Sequence, residues 1–203
     1  MYPISRKQVF AIMLWSATLG ATGAIADVAQ PRLDAAGKAA VAQSDVEEAA
    51  IRRVLDQFRT VQIPLGQAIA IAEHLHDGSR TADISFEISG PPVYRVRTVK
   101  NERLWENVID ANSGVITDKE TTSSLKELDR EDLANIIALK WIKQELSDAV
   151  RVAEKATAGN ALAGGLMKQD GKFNFVIVVA SGDRLKEVML EPPKIAPQGS
   201  PHH

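Results

Sequence analysis

The chain has 203 residues, 45% hydrophobic and 25% charged, with 13 Gly and 9 Pro. This composition excludes a disordered, collagen-like or coiled-coil polypeptide, and the length allows one domain or two small ones. A formal net charge of −2 gives no electrostatic case for nucleic acid. Cysteine is absent, which removes disulfides, thiolate zinc sites, thiol nucleophiles and a lipidated cysteine.

Arg6 and Lys7 precede an apolar run from Val9 to Leu19, and small residues then lead to Ala24-Ile25-Ala26. A basic start, a short apolar core and an A-x-A site define residues 1–26 as a secretory signal peptide. The run is too short for a comfortable membrane span, which needs about 20 apolar residues. An uncleaved anchor is the competing reading. Cleavage before Asp27 is expected to leave a soluble periplasmic or secreted protein with no stable membrane insertion. Losing Arg6 and Lys7 would take its net charge from −2 to −4.

Residues 27–43 are Ala-rich with scattered charges and form a flexible linker with little to bury. Ser44-Asp45-Val46-Glu47 has the form of a capping box. Val46, Ala50, Val54 and Phe58 follow on one helical face. Pro64 opens a second helix with an apolar stripe of Leu65, Ala68, Ile69, Ala72 and Leu75, and Gly78 suits the position past its end. Strands are predicted over Asp83–Ser89, Val93–Val99 and Arg103–Asp110, and Val115-Ile116-Thr117 can return as a short fourth.

A shift of 81 residues lays the unit over itself without a gap. Leu65, Ala68, Ala72 and Glu73 fall on Leu146, Ala149, Ala153 and Glu154. Gly78 falls on Gly159, Tyr94 on Phe175, Val96 on Ile177, and Arg103-Leu104 on Arg184-Leu185. The fold class is therefore α+β, with two tandem modules of helix plus antiparallel sheet. Module one covers 44–120, residues 121–129 are a linker, module two covers 130–193, and 194–203 form a disordered tail. Each module has a further helix in front. Glu145 stands where the first copy has Pro64, which leaves the helix that begins near Arg130 free to run on continuously to Ala158.

The segment Ile63-Pro-Leu-Gly-Gln-Ala-Ile-Ala-Ile-Ala72, the strand Val93-Tyr-Arg-Val-Arg97 and the ending Val108-Ile-Asp-Ala-Asn-Ser-Gly-Val-Ile116 together resemble the PepSY domain family over about residues 62–120. A diverged second copy, about 143–193, has Glu191-Pro-Pro-Lys194 where the Asp-Ala-Asn-Ser-Gly turn would stand. The resemblance implies a helix packed on a curved antiparallel sheet, and a binding or inhibitory role in place of catalysis, with no family-wide catalytic residues and no cofactor.

A metal reading would join His74, His76 and Asp77, but histidines two apart on a helix point about 200° from each other. Favourable interaction with the helix dipole explains them more simply. Ser123-Ser124 lacks elbow glycines, Gly164-Gly165 lacks a following Lys and Ser/Thr, and no His-Glu-x-x-His occurs. Arg95 and Arg97 alternate outward on the second strand, and Trp105 and Asn107 on the third are expected across the same face, together a surface for a peptide or anionic group. In the second copy Val176 and Val178 replace the two arginines, so that face must be covered, by copy one or by a second subunit in a homodimer. The resulting expectation is a non-enzymatic envelope protein that binds a protein or peptide partner and restrains a peptidase; the alternative is a periplasmic small-ligand or metal-binding protein.

Overall fold

The computed structural model describes residues 47–193. The expected signal peptide, the whole flexible linker, all of the capping box except Glu47, and the C-terminal tail lie outside the described residues. By their contacts the residues divide into two units that meet at Ile51 and Arg52. Residues 47–51 of the first unit are helical; the second unit carries the fold described below.

Residues 52–58 (α1) are helical and bury Leu55 and Phe58. Helix α2 (Leu65–Leu75) starts at Pro64, whose ring-fixed φ of −64° suits a helix entry and whose carbonyl accepts from Gln67 N and Ala68 N. Strands β1 (Arg80–Glu87), β2 (Val93–Lys100) and β3 (Arg103–Asp110) follow. The two-residue loop Asn101-Glu102 has positive φ at both positions, the turn whose twist matches a β-hairpin. It fixes the β2–β3 register from Lys100↔Arg103 onward.

The second module repeats the plan. Helix α3 (Arg130–Leu139) is capped by Asp129, whose carboxylate accepts from Glu131 N and Asp132 N at 2.9 Å. Helix α4 (Leu146–Thr157) and strands β5 (Asn160–Gln169), β6 (Lys172–Ser181) and β7 (Arg184–Leu190) complete it. The buried residues of α2 are Leu65, Ala68, Ile69 and Ala72, and those of α4 are Leu146, Ala149, Val150 and Ala153. They match one for one at the 81-residue spacing. Leu55 and Phe58 likewise match Ile136 and Leu139, all four buried.

With β4 (Thr121–Ser124) beside β3, the modules share one seven-stranded antiparallel sheet of order β4-β3-β2-β1-β5-β6-β7, in which β1 and β5 make the seam. Helices α2 and α4 pack against each other over one face. At the seam Ile84 pairs with Gly164, flanked by Asp83↔Gly165 and Ser85↔Ala163. A shift of 80 residues exchanges the two flanking pairs and leaves Ile84↔Gly164 on itself, so an approximate two-fold axis passes through that central pair. A Cβ at Gly164 would lie 2.7 Å from Cδ1 of the fully buried Ile177, whose side chain would have to shift to admit it.

Three expectations change. The first strands are related by 80 residues and the helices by 81. Glu73 Oε1 accepts from Thr81 N at 2.8 Å and Glu154 Oε1 from Ala161 N at 2.9 Å, which makes Thr81 and Ala161 equivalent. The glycine match is correspondingly shifted, since Ala158, with φ of +50°, takes the left-handed place that Gly78 holds at +74°. Second, α3 does not run on into α4. Arg80 holds the break open, donating to the carbonyls of Leu139 and Gln144 that a continuous helix would use internally. Third, Val115–Thr117 contributes only the single bridge Ile109↔Ile116, while the stretch 121–129 contains β4 (Thr121–Ser124), paired to β3, and a 3₁₀ turn at Leu125–Glu127.

Candidate functional site

The four residues singled out on β2 and β3 do not share a surface. Directly opposite residues in an antiparallel pair point to the same face. Arg95 lies opposite Val108 and Arg97 opposite Glu106, whereas Trp105 lies opposite Thr98 and Asn107 opposite Val96. The arginines therefore face one way, and Trp105 and Asn107 face the other, the side that carries Tyr94 and Val96. The two-residue hairpin loop sets this parity.

Both arginines are engaged by carboxylates. Arg97, 8% exposed, donates from Nε to Asp83 at 2.9 Å and from Nη1 to Asp132 of α3 at 3.2 Å. Arg95 donates to Glu87 at 2.9 Å and to Glu106 at 2.6 Å. The hydrogen bond to Glu87, with that to Glu106, outweighs the opposing effect of burial and raises the Arg95 pKa above its ordinary value. These pairs tie α3 to the sheet and join β1, β2 and β3 laterally.

Trp105 and Asn107 belong to a different cluster. The His76 ring stacks on Trp105 with centroids 4.1 Å apart, and His76 Nε2 lies 2.8 Å from Glu120 Oε2. Asn107, 1% exposed, donates from Nδ2 to the same Glu120 oxygen at 3.0 Å. Its Oδ1 has no hydrogen-bond partner among the described residues. Beside this cluster a cavity of about 410 Å³ is lined by His76, Lys100, Asn101, Arg103 and Trp105. His74 lies in the last turn of α2, and the Asp77 carbonyl accepts from Lys100 Nζ. Among the described residues no group of three or more His, Asp or Glu side chains is arranged to hold a metal ion.

Val176 and Val178 are each 2% exposed, so the chain covers this face without a second copy. They lie opposite Gly165 and Ala163, and α3 packs over β5 and β1.

Sequence reasoning did not single out Arg80. Its Nε donates to Glu145 Oε2 at 2.9 Å, its Nη2 to Gln144 O at 2.8 Å and its Nη1 to Leu139 O. An arginine opening β1 beside a proline-free helix break was the available signal. At the equivalent turn of module one, between Phe58 and Pro64, there is a cavity of about 440 Å³. Tyr94, fully buried, donates its hydroxyl to Ile63 O there at 2.9 Å, and burial, with the charge of Glu154 adding to it, pushes the phenol pKa up.

The two terminal strands of the sheet differ. β4 has four residues, all Thr or Ser. β7 has seven, with Arg184, Lys186, Glu187 and Met189 exposed, and among the described residues no strand pairs with its outer side. Although Glu187 is exposed, partial desolvation beside β6 raises its carboxyl pKa.

Residues 62–120 match the PepSY family, described as "Peptidase propeptide and YPEB domain". This span runs from the turn before α2 to the eve of β4, within module one. No curated protein matches the sequence. Among solved structures, one from Clostridium difficile 630, described as "a putative lipoprotein", is similar at 20% identity over 66% of this chain and 89% of that chain, with a TM-score of 0.39. Among the described residues no helix is long and apolar enough to cross a membrane.

Proposed function

We infer that the protein is a non-enzymatic binding module that works outside the cytoplasm, periplasmic or secreted, and holds an extended segment of a protein or peptide partner. A peptidase is the partner class that the propeptide members of the family favour. The N-terminal signal-peptide pattern supports the compartment, and the PepSY match at 62–120 supports the non-catalytic role.

The observation that carries the reading is the unequal treatment of the two sheet edges. A short polar strand such as β4 is a protected edge. β7 offers seven residues of extended backbone with Leu185, Val188, Met189 and Leu190 among them, which is what β-strand addition requires: main-chain hydrogen bonds for affinity and alternate side chains for specificity.

A photo-activated crosslinker placed in exported protein at Lys186 or Met189, with Thr122 of β4 and Trp105 as controls, tests this. Crosslinks to one partner polypeptide from the two β7 positions, and none from Thr122, are expected. Crosslinks confined to Trp105 or Thr122, or their absence from β7, would remove the edge from consideration. Inhibition of the crosslinked partner, assayed on casein when that partner is a peptidase, then tests restraint.

A further inference from the structure

Arg80 and Asn160 occupy the same place in the two modules. Each opens its module's first strand, and they pair with Val99 and Ala180, which are themselves equivalent. Arg80 fills the turn that precedes α4, with one donor each to Leu139 O, Gln144 O and Glu145. The matching turn of module one precedes α2, and there the shorter Asn160 leaves the cavity of about 440 Å³, lined by Phe58, Ile63, Tyr94, Glu154, Asn160 and Gly182 among others.

The acceptors that Arg80 uses have counterparts in this cavity. Phe58 stands where Leu139 stands, and Ile63 where Gln144 stands. Val61 N donates to Phe58 O at 3.3 Å, and Ile142 N donates to Leu139 O at 3.3 Å. The same backbone bond is thus present in both turns, and in module two it does not stop the carbonyl from also accepting a guanidinium. Ile63 O takes the Tyr94 hydroxyl and keeps a second lone pair. Pro64 cannot supply the charge that Glu145 gives, but Glu154 lines the cavity. One Glu154 oxygen accepts from Ala161 N, and the other takes no hydrogen bond among the described residues. Arg59 at the rim is held by Asp56, Asp183 and the Gly182 carbonyl, so it does not leave the entrance cationic.

We propose that this cavity is a receptor for an arginine side chain of a partner polypeptide, which would supply to module one the guanidinium that Arg80 supplies to module two. The proposal rests on the reading of the protein as a partner-binding module and adds the chemistry of the group recognised. Arginine is favoured over lysine because two carbonyls and a carboxylate spread around a turn call for a planar fork of donors.

The test uses the full-length protein and small probes, so that it stands apart from any partner search. Nα-acetyl-arginine methylamide, its lysine counterpart and the uncharged isostere Nα-acetyl-citrulline methylamide are titrated while amide resonances are followed. The arginine probe should shift the amides of Val61, Glu154 and Ala161 with millimolar affinity. The citrulline probe should bind about tenfold more weakly, since it loses the charge-assisted bonds. Asn160→Arg should fill the cavity from within, abolish probe binding and raise the melting temperature. Glu154→Gln should weaken the arginine probe severalfold and serves should Asn160→Arg fail to fold. No binding of the arginine probe, equal binding of citrulline, or undiminished binding in both variants would overturn the proposal. If β7 crosslinks a partner while the cavity ignores arginine, this inference fails and the edge reading survives.

Discussion

Equivalent positions in the two modules hold opposite chemistry. In module one the face of β2 that carries Arg95 and Arg97 is filled by ion pairs to Glu87, Glu106, Asp83 and Asp132. In module two the same places hold Val176 and Val178, both buried. Where Tyr94 ties the strand to Ile63 O in module one, Phe175 has no hydroxyl, and Arg80 from the other module ties the matching carbonyl of Gln144. Burying a charge costs free energy that only close partners repay, whereas a valine needs only to be covered. One architecture is thus held in two ways: by polar cross-links in module one, and by apolar packing plus one borrowed arginine in module two.

The largest effect should come from separating the halves. A fragment of residues 44–129 keeps α1, α2 and β1 to β4 but loses the strand that covers the β1 edge. We expect it to fold and to restore that edge by pairing β1 with β1 of a second copy, because the β1–β5 seam is already nearly two-fold symmetric about Ile84. Sedimentation and circular dichroism would show a folded dimer. A folded monomer would mean that β1 needs no partner. An unfolded fragment would mean that module one depends on pieces of module two, with Asp132 against Arg97 the first suspect.

Much of this comparison was legible in the sequence. The helix stripes, Leu65 to Ala72 and Leu146 to Ala153, could be aligned because helical burial recurs at fixed spacing. Strand β3 falls on the predicted Arg103–Asp110. The seam was not legible, because alternation along β1 and β5 shows which face is buried and not which strand lies beside which. The one-residue slip before the first strands was masked by an apparent glycine match, Gly78 over Gly159, although the left-handed residue is Ala158. Assigning Trp105 and Asn107 to the arginine face was an error of parity. Reading Asn101-Glu102 as a two-residue hairpin loop would have placed Trp105 opposite Thr98. The carboxylates around Arg95 and Arg97 come from neighbouring strands and from α3, so no local pattern could reveal that the guanidiniums were already engaged.

A smaller but still large effect is expected from making module one resemble module two at a single position. Arg97→Val strips the guanidinium from Asp83 and Asp132, which are 15% and 20% exposed. Removing one partner from such a pair typically costs about 3–5 kcal/mol. Chemical denaturation should show a loss of that order. The triple variant Arg97→Val, Asp83→Ala, Asp132→Ala should recover most of it, since valine is the residue that module two accepts there. A single variant as stable as the wild type, or a triple variant no better than the single, would show that the two modes of filling this face are not interchangeable.

The smallest effect concerns the end of the module helices. After α2 the left-handed position is Gly78, and after α4 it is Ala158, which closes the helix with φ of +50° and ψ of +43°. A side chain in that conformation costs roughly 1–2 kcal/mol relative to the right-handed region, because Cβ crowds the following carbonyl. Glycine escapes this but gives up roughly 0.4–1 kcal/mol through the extra freedom of its unfolded chain. Ala158→Gly should therefore stabilise the protein by about 0.5–1 kcal/mol, a rise of a few degrees or less in melting temperature for a chain of this size. Gly78→Ala should destabilise by a similar amount, and its added methyl meets only the flexible end of Lys100, 3.6 Å away, so the backbone effect is not confounded by a clash. If Ala158→Gly brings no gain while Gly78→Ala still costs stability, the two helix ends do not share one conformational demand. The equivalence of Gly78 and Ala158 would then have to be abandoned, while the strand pairing that relates Thr81 to Ala161 would stand.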